Sequence, residues 1–374
     1  MWRWTRWSYR SDSLTVISDV SRSAAIMIAA WVLAGAAPGL APAQATATPS
    51  ARTPAVVVDT DMDFDDAAAL AYLAEADRIG LIDLRAVTVT VAGIAFPGNG
   101  LSHARCLLAK VGMAGVPTSD GDRLRTNNFP EEVRLLLDGL VERAVQPDPA
   151  TPCPAVATEG DAAHLLISSI RAAKRPVTLI TLGPVTNVAQ MLERDPAIVA
   201  RIKRVIVEGG DTTGSVPVNP LDAHDYNLWV DAPAVQAVLR ALPGRVFMSG
   251  RNATNHVPLT PAFRERLAAD RTTPAAGVVY SIASDPLIVG GEQGGTLSET
   301  YWWDPLAAVA ATVRGVETFK PMHITVVQGG ADEGRTVVDP RGTLVNFGVS
   351  ASADRFHDAF IDVLNDRRPA RSRR

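Results

Sequence analysis

Five carboxylates occupy eight consecutive positions, Asp59 to Asp66 (DTDMDFDD), directly after the apolar run Ala55 to Val58. An apolar β-branched run that ends abruptly in charge is typical of a buried parallel strand whose carboxyl end delivers side chains to a site. Mutual repulsion makes such a cluster costly unless a positive group lies among its oxygens, and hard divalent cations prefer carboxylate and carbonyl oxygens. The pattern therefore predicts a Ca²⁺ or Mg²⁺ site at a strand end.

Strand and helix patterns alternate along the rest of the chain. Predicted helices cover 67–76, 101–111, 187–193 and 232–242, and predicted strands cover 84–91, 177–182, 204–207, 246–249 and 323–327. This alternation predicts an α/β fold, a single domain with a mostly parallel central sheet flanked by helices and a Rossmann-like core. We assign residues 55–366 to this domain and interpret the Pro-rich stretch 146–157 as an inserted loop.

The two ends of the chain differ in composition from this domain. Four arginines within the first 22 residues precede an apolar run at 24–37, and Ala43-Gln44-Ala45 has the small-x-small pattern of a signal-peptidase site. We predict a signal peptide at 1–45, a linker at 46–54, a secreted or periplasmic location and no stable membrane anchor after cleavage. An uncleaved anchor helix and translation from Met27 are the alternatives. The tail 367–374 holds five arginines and is predicted to be solvated and disordered.

Bulk composition argues against two classes of protein. The 36 Lys and Arg residues nearly balance the 40 Asp and Glu residues, so no dedicated nucleic-acid surface is indicated. Cys106 and Cys153 are the two cysteines, too few for a disulfide scaffold or a zinc cluster. They form at most one disulfide, which an exported protein permits, and the sequence leaves their pairing open.

Two known metal-binding patterns compete for the acidic segment on spacing. An EF-hand loop that starts at Asp59 requires Gly at its sixth position and Glu at its twelfth, where this chain has Phe64 and Leu70. That interpretation fails. A phosphatase of the Asp-x-Asp type, with Asp59 as nucleophile and Mg²⁺ as cofactor, is satisfied by Asp59 and Asp61 but does not account for Asp65 and Asp66.

Five segments, in order along the chain, resemble motifs of the inosine-uridine-preferring nucleoside hydrolase family. The acidic segment resembles its D-x-D-x-G-x-D-D fingerprint. LGPVTNVA at 182–189 resembles the family's G-P-L-T-N-x-A turn, and VEGG at 207–210 resembles its M-G-G strand end. DYNLWVDAPA at 225–234 resembles its E-[FW]-N-x-x-x-D-P-x-A segment, and WDPLAA at 303–308 resembles its [HW]-D-P-x-A-A segment. The resemblance implies hydrolysis of the N-glycosidic bond of ribonucleosides to free base and ribose. It also implies a small-molecule nucleoside as partner and a homo-oligomer, either dimer or tetramer.

The resemblance further implies calcium as cofactor and a role for each matching residue. The calcium ligands would be Asp61, Asp66, the main-chain carbonyl of Leu182 and Asp304. Asp61 would also be the catalytic general base that takes a proton from water. Contacts with the substrate would come from Asp65, Asn219, Asp225, Asn227 and Trp303. Asp59 would keep the calcium ligands oriented without binding the ion itself. Asn187 is interpreted as a helix cap.

Several positions depart from the family pattern. Asp63 stands where the fingerprint has Gly, and Asp225 stands where Glu is typical. Trp303 occupies the position at which some members carry a His that protonates the leaving base, and a tryptophan is not a proton donor of that kind. The substitutes for that acid would be His224 and His256, although a structural or exposed role is favoured for each. Asn99 is the nearest candidate for an Asn that follows Gly93 in many members, where this chain has Ile94. An exported nucleoside-binding protein without turnover is therefore a second alternative.

Overall fold

The computed structural model describes residues 53–122, 127–146, 148, 152–156, 160–213, 225–292 and 300–369, all within one unit, Ala45–Arg374. The predicted signal peptide, most of the linker, Asn219 and His224 lie outside these described residues. The strands are β1 (Ala55–Thr60), β2 (Asp83–Val89), β3 (Thr118–Asp120), β4 (Val177–Thr181), β5 (Ile202–Glu208), β6 (Val246–Ser249), β7 (Glu317–Val326), β8 (Thr336–Val338) and β9 (Thr343–Ala351).

These strands form one mostly parallel sheet in the order β3-β2-β1-β4-β5-β6-β9-β7-β8. Pairing is parallel from β3 through to β9, whereas β7 pairs antiparallel with both β9 and β8. The prediction of an α/β domain with a mostly parallel sheet is confirmed. The predicted strand 323–327 is the second half of β7, which begins at Glu317 and belongs to an antiparallel extension that the alternation pattern did not predict.

Helices pack against this sheet in two apolar clusters. They are α1 (Phe64–Arg78), α2 (Asn99–Lys110), α3 (Glu131–Val145), α4 (Ala162–Ala172), α5 (Thr186–Arg194), α6 (Tyr226–Val230), α7 (Ala232–Ala241), α8 (Arg251–Thr254), α9 (Pro261–Ala269), α10 (Pro274–Ala283), α11 (Pro286–Glu292), α12 (Trp303–Thr312) and α13 (Ala353–Leu364). Val56 and Val58 of β1 enter one cluster and Val57 enters the other, because successive strand residues face opposite sides. No helix in the described part of the chain is long and apolar enough to span a bilayer.

Helix α1 is buried from Phe64 to Ala76, and six of those residues are alanines. Small side chains allow close packing against α10 and α12. The helix begins at Phe64, three residues before the predicted start, because the Asp63 carboxylate caps it by accepting a hydrogen bond from the Phe64 N–H at 2.6 Å. Asp65 and Asp66 therefore lie in the first helical turn, where the free N–H groups and the helix dipole favour negative charge.

A disulfide joins α2 to the segment 152–156. Cys106 and Cys153 are paired with their Cα atoms 5.9 Å apart. Two hydrogen bonds flank the bridge, from the Ser102 hydroxyl to the Pro154 carbonyl at 2.5 Å and from the Cys153 N–H to Glu142 Oε1 at 3.0 Å. Because Glu142 belongs to α3, the disulfide holds this segment against two helices.

We expect loss of this disulfide to lower the free energy of unfolding by about 2–4 kcal/mol, because it closes a long loop in the unfolded chain. The two cysteines are 47 positions apart in the chain, which sets the size of that loop. Urea denaturation of the wild type with and without reductant, beside the Cys106→Ser/Cys153→Ser variant, measures the effect. Reductant should shift the midpoint of the wild type alone, and equal midpoints for both proteins in the absence of reductant would contradict the expectation.

The first residues of the predicted basic tail contact the domain. The Arg367 guanidinium binds Asp270, and its Nε donates to Asp362 at 3.1 Å. The Arg368 guanidinium donates to the Ile79 carbonyl at 2.7 Å. Both arginines are exposed to solvent, so these are surface contacts, and the solvated and disordered tail stays a prediction. Residues 370–374 lie outside the described part of the chain.

Candidate active site

Polar groups converge at the carboxyl ends of three neighbouring strands, β1, β4 and β5. Asp61 directly follows β1, Leu182 follows β4, and Glu208 is the last residue of β5. The Leu182 N–H donates to the Asp59 carbonyl at 2.8 Å, which keeps the chain segments after β1 and β4 side by side. Since parallel strands end at one edge of a sheet, these groups share one site, as the sequence pattern predicted.

Met62 makes the turn between β1 and α1. Its φ of 52° lies in the left-handed region that L side chains rarely adopt, and its N–H donates to Thr60 Oγ1 at 3.0 Å. The turn brings Asp66 back to the end of the strand, where Asp66 Oδ1 accepts from the Asp61 N–H at 3.0 Å and from the Thr60 hydroxyl. These hydrogen bonds stabilise the strained turn and fix the relative positions of Asp61 and Asp66.

The Asp61 carboxylate is enclosed by two glycines and a main-chain donor. The Ile94 N–H donates to Asp61 Oδ2 at 2.8 Å. A Cβ on Gly93 would lie 1.9 Å from Oδ2, and one on Gly183 would lie 2.8 Å from Oδ1, so both positions require glycine. Burial, together with repulsion from Asp66 and Asp63, raises the pKa of Asp61 well above its usual range.

Asp65, Asp66 and Asp304 form a buried acidic trio. One carboxylate oxygen from each residue lies within 4.8 Å of the other two. Asp304 Oδ1 is buried and has no hydrogen-bond partner among the described residues. Burial and the charges of neighbouring carboxylates raise the pKa of both Asp65 and Asp304 well above the usual range. An all-oxygen set that includes an unsatisfied buried oxygen fits a hard divalent cation, since the ion would remove the repulsion.

The trio overlaps the predicted calcium ligands without matching them fully. Asp66 and Asp304 were predicted as ligands, whereas Asp65 was predicted to contact the substrate. Asp61 lies outside the trio, although its carboxylate is close enough to Asp66 for the two to repel each other. The Leu182 carbonyl accepts a hydrogen bond from Asn227 Nδ2 at 2.8 Å. Roles for Asp61 and Leu182 as metal ligands therefore stay predictions.

Asn227 connects the ends of β4 and β5. Besides its contact with Leu182, its Nδ2 donates to Glu208 Oε2 at 2.8 Å. Glu208 is 7% exposed, and burial followed by the charges of Asp225 and Asp65 raises the pKa of its carboxyl well above the usual range. Glu208 was not predicted as a site residue, although an apolar strand that ends in an acid is the same signal that singled out Asp59.

Asp225 is bound by the main chain on both carboxylate oxygens. Its Oδ2 accepts from the Gly210 N–H at 2.7 Å, and its Oδ1 accepts from the Leu228 N–H at 3.3 Å as the cap of α6. A Cβ on Gly209 would lie 2.6 Å from Oδ1, so glycine is required there. The sugar-binding role implied for Asp225 stays a prediction, while its structural role is to hold the chain after β5 against α6.

Asp59 lies behind the site and is 1% exposed. Its Oδ1 accepts from the Thr88 hydroxyl at 2.6 Å and from Asn187 Nδ2 at 2.8 Å. Burial raises the pKa of Asp59 to about 7, against the lowering effect of these two donors. The interpretation of Asn187 as a helix cap is wrong, because the cap residue of α5 is Val185 and the Asn187 side chain turns inward to Asp59.

The remaining predicted residues lie at different depths. Trp303 is half-buried at the start of α12, with its ring centroid 6.3 Å from that of Phe64, and adjoins the acidic trio through Asp304. His256 is exposed to solvent. Asn99 is also exposed and its amide faces Asp138 on α3, so the prediction that it replaces the missing Asn of the site is wrong.

A parallel α/β sheet whose strand ends gather buried aspartates is typical of an α/β enzyme that binds a divalent cation. The chain belongs to the inosine-uridine-preferring nucleoside hydrolase family, whose sequence profile matches residues 56–358. Members of this family are hydrolases that act on the N-glycosyl bond of ribonucleosides and are generally metal-dependent. The family resemblance inferred from the five sequence segments is confirmed.

The relatives described next align with this chain over nearly their whole length. The pyrimidine-specific ribonucleoside hydrolase RihA of Salmonella arizonae is 28% identical over 327 residues, which cover 83% of this chain and 97% of that protein. A plant nucleoside hydrolase, PpNRh1, superposes with a TM-score of 0.71 at 22% identity, covering 83% of this chain and 99% of its own. The inosine-uridine-preferring nucleoside hydrolase of Bacillus anthracis gives a TM-score of 0.68 at 23% identity, covering 84% and 100%.

Proposed function

We propose that this chain is an exported, calcium-dependent ribonucleoside hydrolase that releases a free base and ribose. The observation that carries the proposal is the buried trio Asp65, Asp66 and Asp304 beside the enclosed carboxylate of Asp61. Calcium is favoured because the ligands are oxygens only and because this ion accepts 6–8 oxygen ligands, which leaves positions for water and for sugar hydroxyls in addition to the protein. Nitrogen or sulfur ligands, which zinc prefers, are absent from the trio.

The reaction adds water across the bond between the sugar C1′ and the base nitrogen. The oxygen of water forms a bond to C1′, the C–N bond breaks with its electrons going to the base, and one proton of water ends on the base. The bound cation would supply positive charge that favours ionisation of water and orients the sugar. Asp61 takes the proton from water at Oδ1, because the Ile94 N–H holds Oδ2. Surrounding carboxylates stabilise the positive charge that develops on the sugar.

Aromatic side chains beside the trio supply a surface for the base. Trp303 stands next to Asp304, with the ring of Phe64 edge-on to one side and that of Tyr301 at 5.8 Å. A flat apolar ring of this kind stacks on a purine or a pyrimidine. Trp303 thereby orients the leaving base without protonating it.

Export from the cytoplasm is proposed from the leader sequence, and the disulfide between Cys106 and Cys153 supports it. Disulfides persist in oxidising compartments and are rare in the reducing cytosol. A dimer or tetramer, implied by the family resemblance, is a further part of the proposal that sedimentation of the purified chain would check.

The test is a reducing-sugar assay of the purified chain with calcium, on uridine, cytidine, inosine, adenosine and guanosine. We expect ribose and free base in equal amounts from at least one nucleoside. No ribose from any of the five would overturn the proposed activity, and calorimetric binding without base release would support the non-catalytic alternative.

A phosphate ester in the same assay tests the Asp-x-Asp phosphatase alternative. We expect no phosphate release, because Asp59, the required nucleophile, is 1% exposed and is bound by Thr88 and Asn187. A nucleophilic carboxylate needs a free oxygen lone pair, and these two donors engage Oδ1 of Asp59. Phosphate release that is lost in Asp59→Asn would contradict this assignment.

A further inference from the structure

Tyr226 is the first residue of α6 and presents a buried hydroxyl next to the site. The hydroxyl oxygen has no hydrogen-bond partner among the described residues. Its ring is held by two other aromatic rings, since the centroid of Phe129 lies 3.5 Å away and that of Trp229 lies 5.7 Å away, edge-on. The position of the ring fixes the direction of the hydroxyl, so the side chain does not turn freely to find another partner.

The charges that act on this hydroxyl belong to the site. Burial raises the pKa of Tyr226 far above its usual range, the charge of Asp61 raises it further, and the charge of Arg134 opposes this effect. Arg134 itself donates through Nε to the Ile94 carbonyl at 3.0 Å, on the segment that holds Asp61. Tyr226 stands between Asp225, which binds the Gly210 N–H, and Asn227, which binds the Leu182 carbonyl. Its ring therefore begins at the strand ends that form the site, and its phenolic hydroxyl is available as a hydrogen-bond donor.

A buried donor without a partner is costly in a folded protein, because it has lost its hydrogen bond to water and gained none in return. Phenylalanine would make the same ring contacts with Phe129 and Trp229 and would avoid this cost. The corresponding position of the family segment that the chain resembles is indeed Phe or Trp. Packing therefore does not require the hydroxyl of Tyr226. An atom of the bound substrate is the candidate acceptor for its hydrogen bond.

The chemistry of the site indicates what that acceptor is. The carboxylates of Asp61, Asp65, Asp66, Asp304 and Glu208 are all hydrogen-bond acceptors when ionised, so they suit the hydroxyl protons of a sugar. A sugar also carries oxygen lone pairs, on its hydroxyls and in its ring, and these require donors. Tyr226 is a donor among acceptors, on the short helix α6, whose flanking residues Asp225 and Asn227 bind the chain at the ends of β4 and β5.

We propose that Tyr226 is a substrate-contacting residue whose hydroxyl donates a hydrogen bond to an oxygen of the bound sugar. The inference rests on the proposed ribonucleoside hydrolase activity and deepens it by assigning a donor to the sugar site. It predicts that the hydroxyl contributes to substrate recognition and is dispensable for the fold.

The test is Tyr226→Phe, which keeps the aromatic ring and removes the hydroxyl alone. We expect kcat/KM for the best nucleoside substrate to fall about tenfold, the effect of one lost hydrogen bond of about 1.4 kcal/mol. The melting temperature should stay equal or rise, because a buried unsatisfied donor has been removed. Tyr280→Phe is the matched control, since Tyr280 lies on α10 with Arg271 over its ring at 4.1 Å, and its kcat/KM should equal that of the wild type.

Binding of pseudouridine by calorimetry gives a second measurement that does not depend on turnover. The base of this nucleoside is attached through a carbon–carbon bond, so N-glycosidic hydrolysis does not consume it. We expect its Kd to rise about tenfold in Tyr226→Phe and to be unchanged in Tyr280→Phe. A Kd and a kcat/KM that both stay within about twofold of the wild type would overturn the inference while the activity stands. A wild type that binds pseudouridine yet cleaves no nucleoside would overturn the activity, and the Kd values alone would then decide the role of Tyr226.

Discussion

Asp61→Asn is expected to lower kcat by about 10³-fold or more, which corresponds to roughly 4 kcal/mol in the activation barrier. The reason is chemical, since an amide oxygen is far too weak a base to take the proton from water. The amide oxygen still accepts the Ile94 N–H that Asp61 Oδ2 accepts in the wild type, so the fold is retained. Steady-state kinetics at saturating calcium, together with a thermal melt, separate loss of chemistry from loss of structure.

The matched control for this variant is Asp354→Asn, the same substitution at an exposed position in the first turn of α13. Its kcat should equal that of the wild type. A well-folded Asp61→Asn protein with kcat within about tenfold of the wild type would show that another group takes the proton. A rise in the calcium concentration required, without a fall in the limiting kcat, would assign Asp61 to metal binding alone.

Removal of the cation is expected to abolish turnover and to destabilise the fold. Treatment with a calcium chelator should eliminate ribose release, and added calcium should restore it. At about 100 times Kd, calcium would stabilise the native state by about 2.7 kcal/mol and raise the melting temperature by about 5 °C. The physical reason is that the carboxylates of the acidic trio Asp65, Asp66 and Asp304 repel one another when ionised, and a bound cation would offset that repulsion. Restoration by Mg²⁺ but not by Ca²⁺ would contradict the calcium assignment.

Asp304→Asn is expected to change the melting temperature differently in the absence and in the presence of calcium. Without calcium the variant should melt at a higher temperature than the wild type, because one repelling charge is gone. Added calcium should raise the melting temperature of the variant only a little, because a charged calcium ligand has been removed. Glu265→Gln, at an exposed position of α9, is the control and should show the full calcium-dependent rise. Equal calcium-dependent shifts in Asp304→Asn and wild type would remove Asp304 from the site.

The elements predicted best are those whose signals are local. The predicted strand 246–249 coincides with β6 (Val246–Ser249), since an apolar run bounded by turn residues is readable in sequence. Helix α13 was overlooked although Phe356 and Phe360 line its buried face and Ser352 caps it, so its signal was present. Strand β9 is different, because it pairs parallel with β6 on one side and antiparallel with β7 on the other. Partners that are remote in sequence decide such a strand.

The same distinction holds for the site. The residues from Asp59 to Asp66 were predictable because one strand and one helix turn carry them all. The bond from Asn187 to Asp59 spans 128 residues, and the one from Asn227 to the Leu182 carbonyl spans 45, so neither contact follows from a local pattern. Tyr226 was part of a recognised segment, and Trp229 lies on the same short helix. Its contact with the ring of Phe129, however, joins residues that are remote in sequence and that only the folded chain brings together.

The hydrogen bond from the Asp304 N–H to Asp65 Oδ2 joins residues that are 239 positions apart in the chain. Closing a loop of that length is unfavourable until the intervening strands have paired, so this contact belongs to the late steps of folding. While the ribosome is still adding β4, β5 and β6, the aspartates after β1 exist without their third partner. The cation site is therefore complete only when nearly the whole chain has been made and folded. Cation binding would thus report that a newly made molecule has reached its native fold.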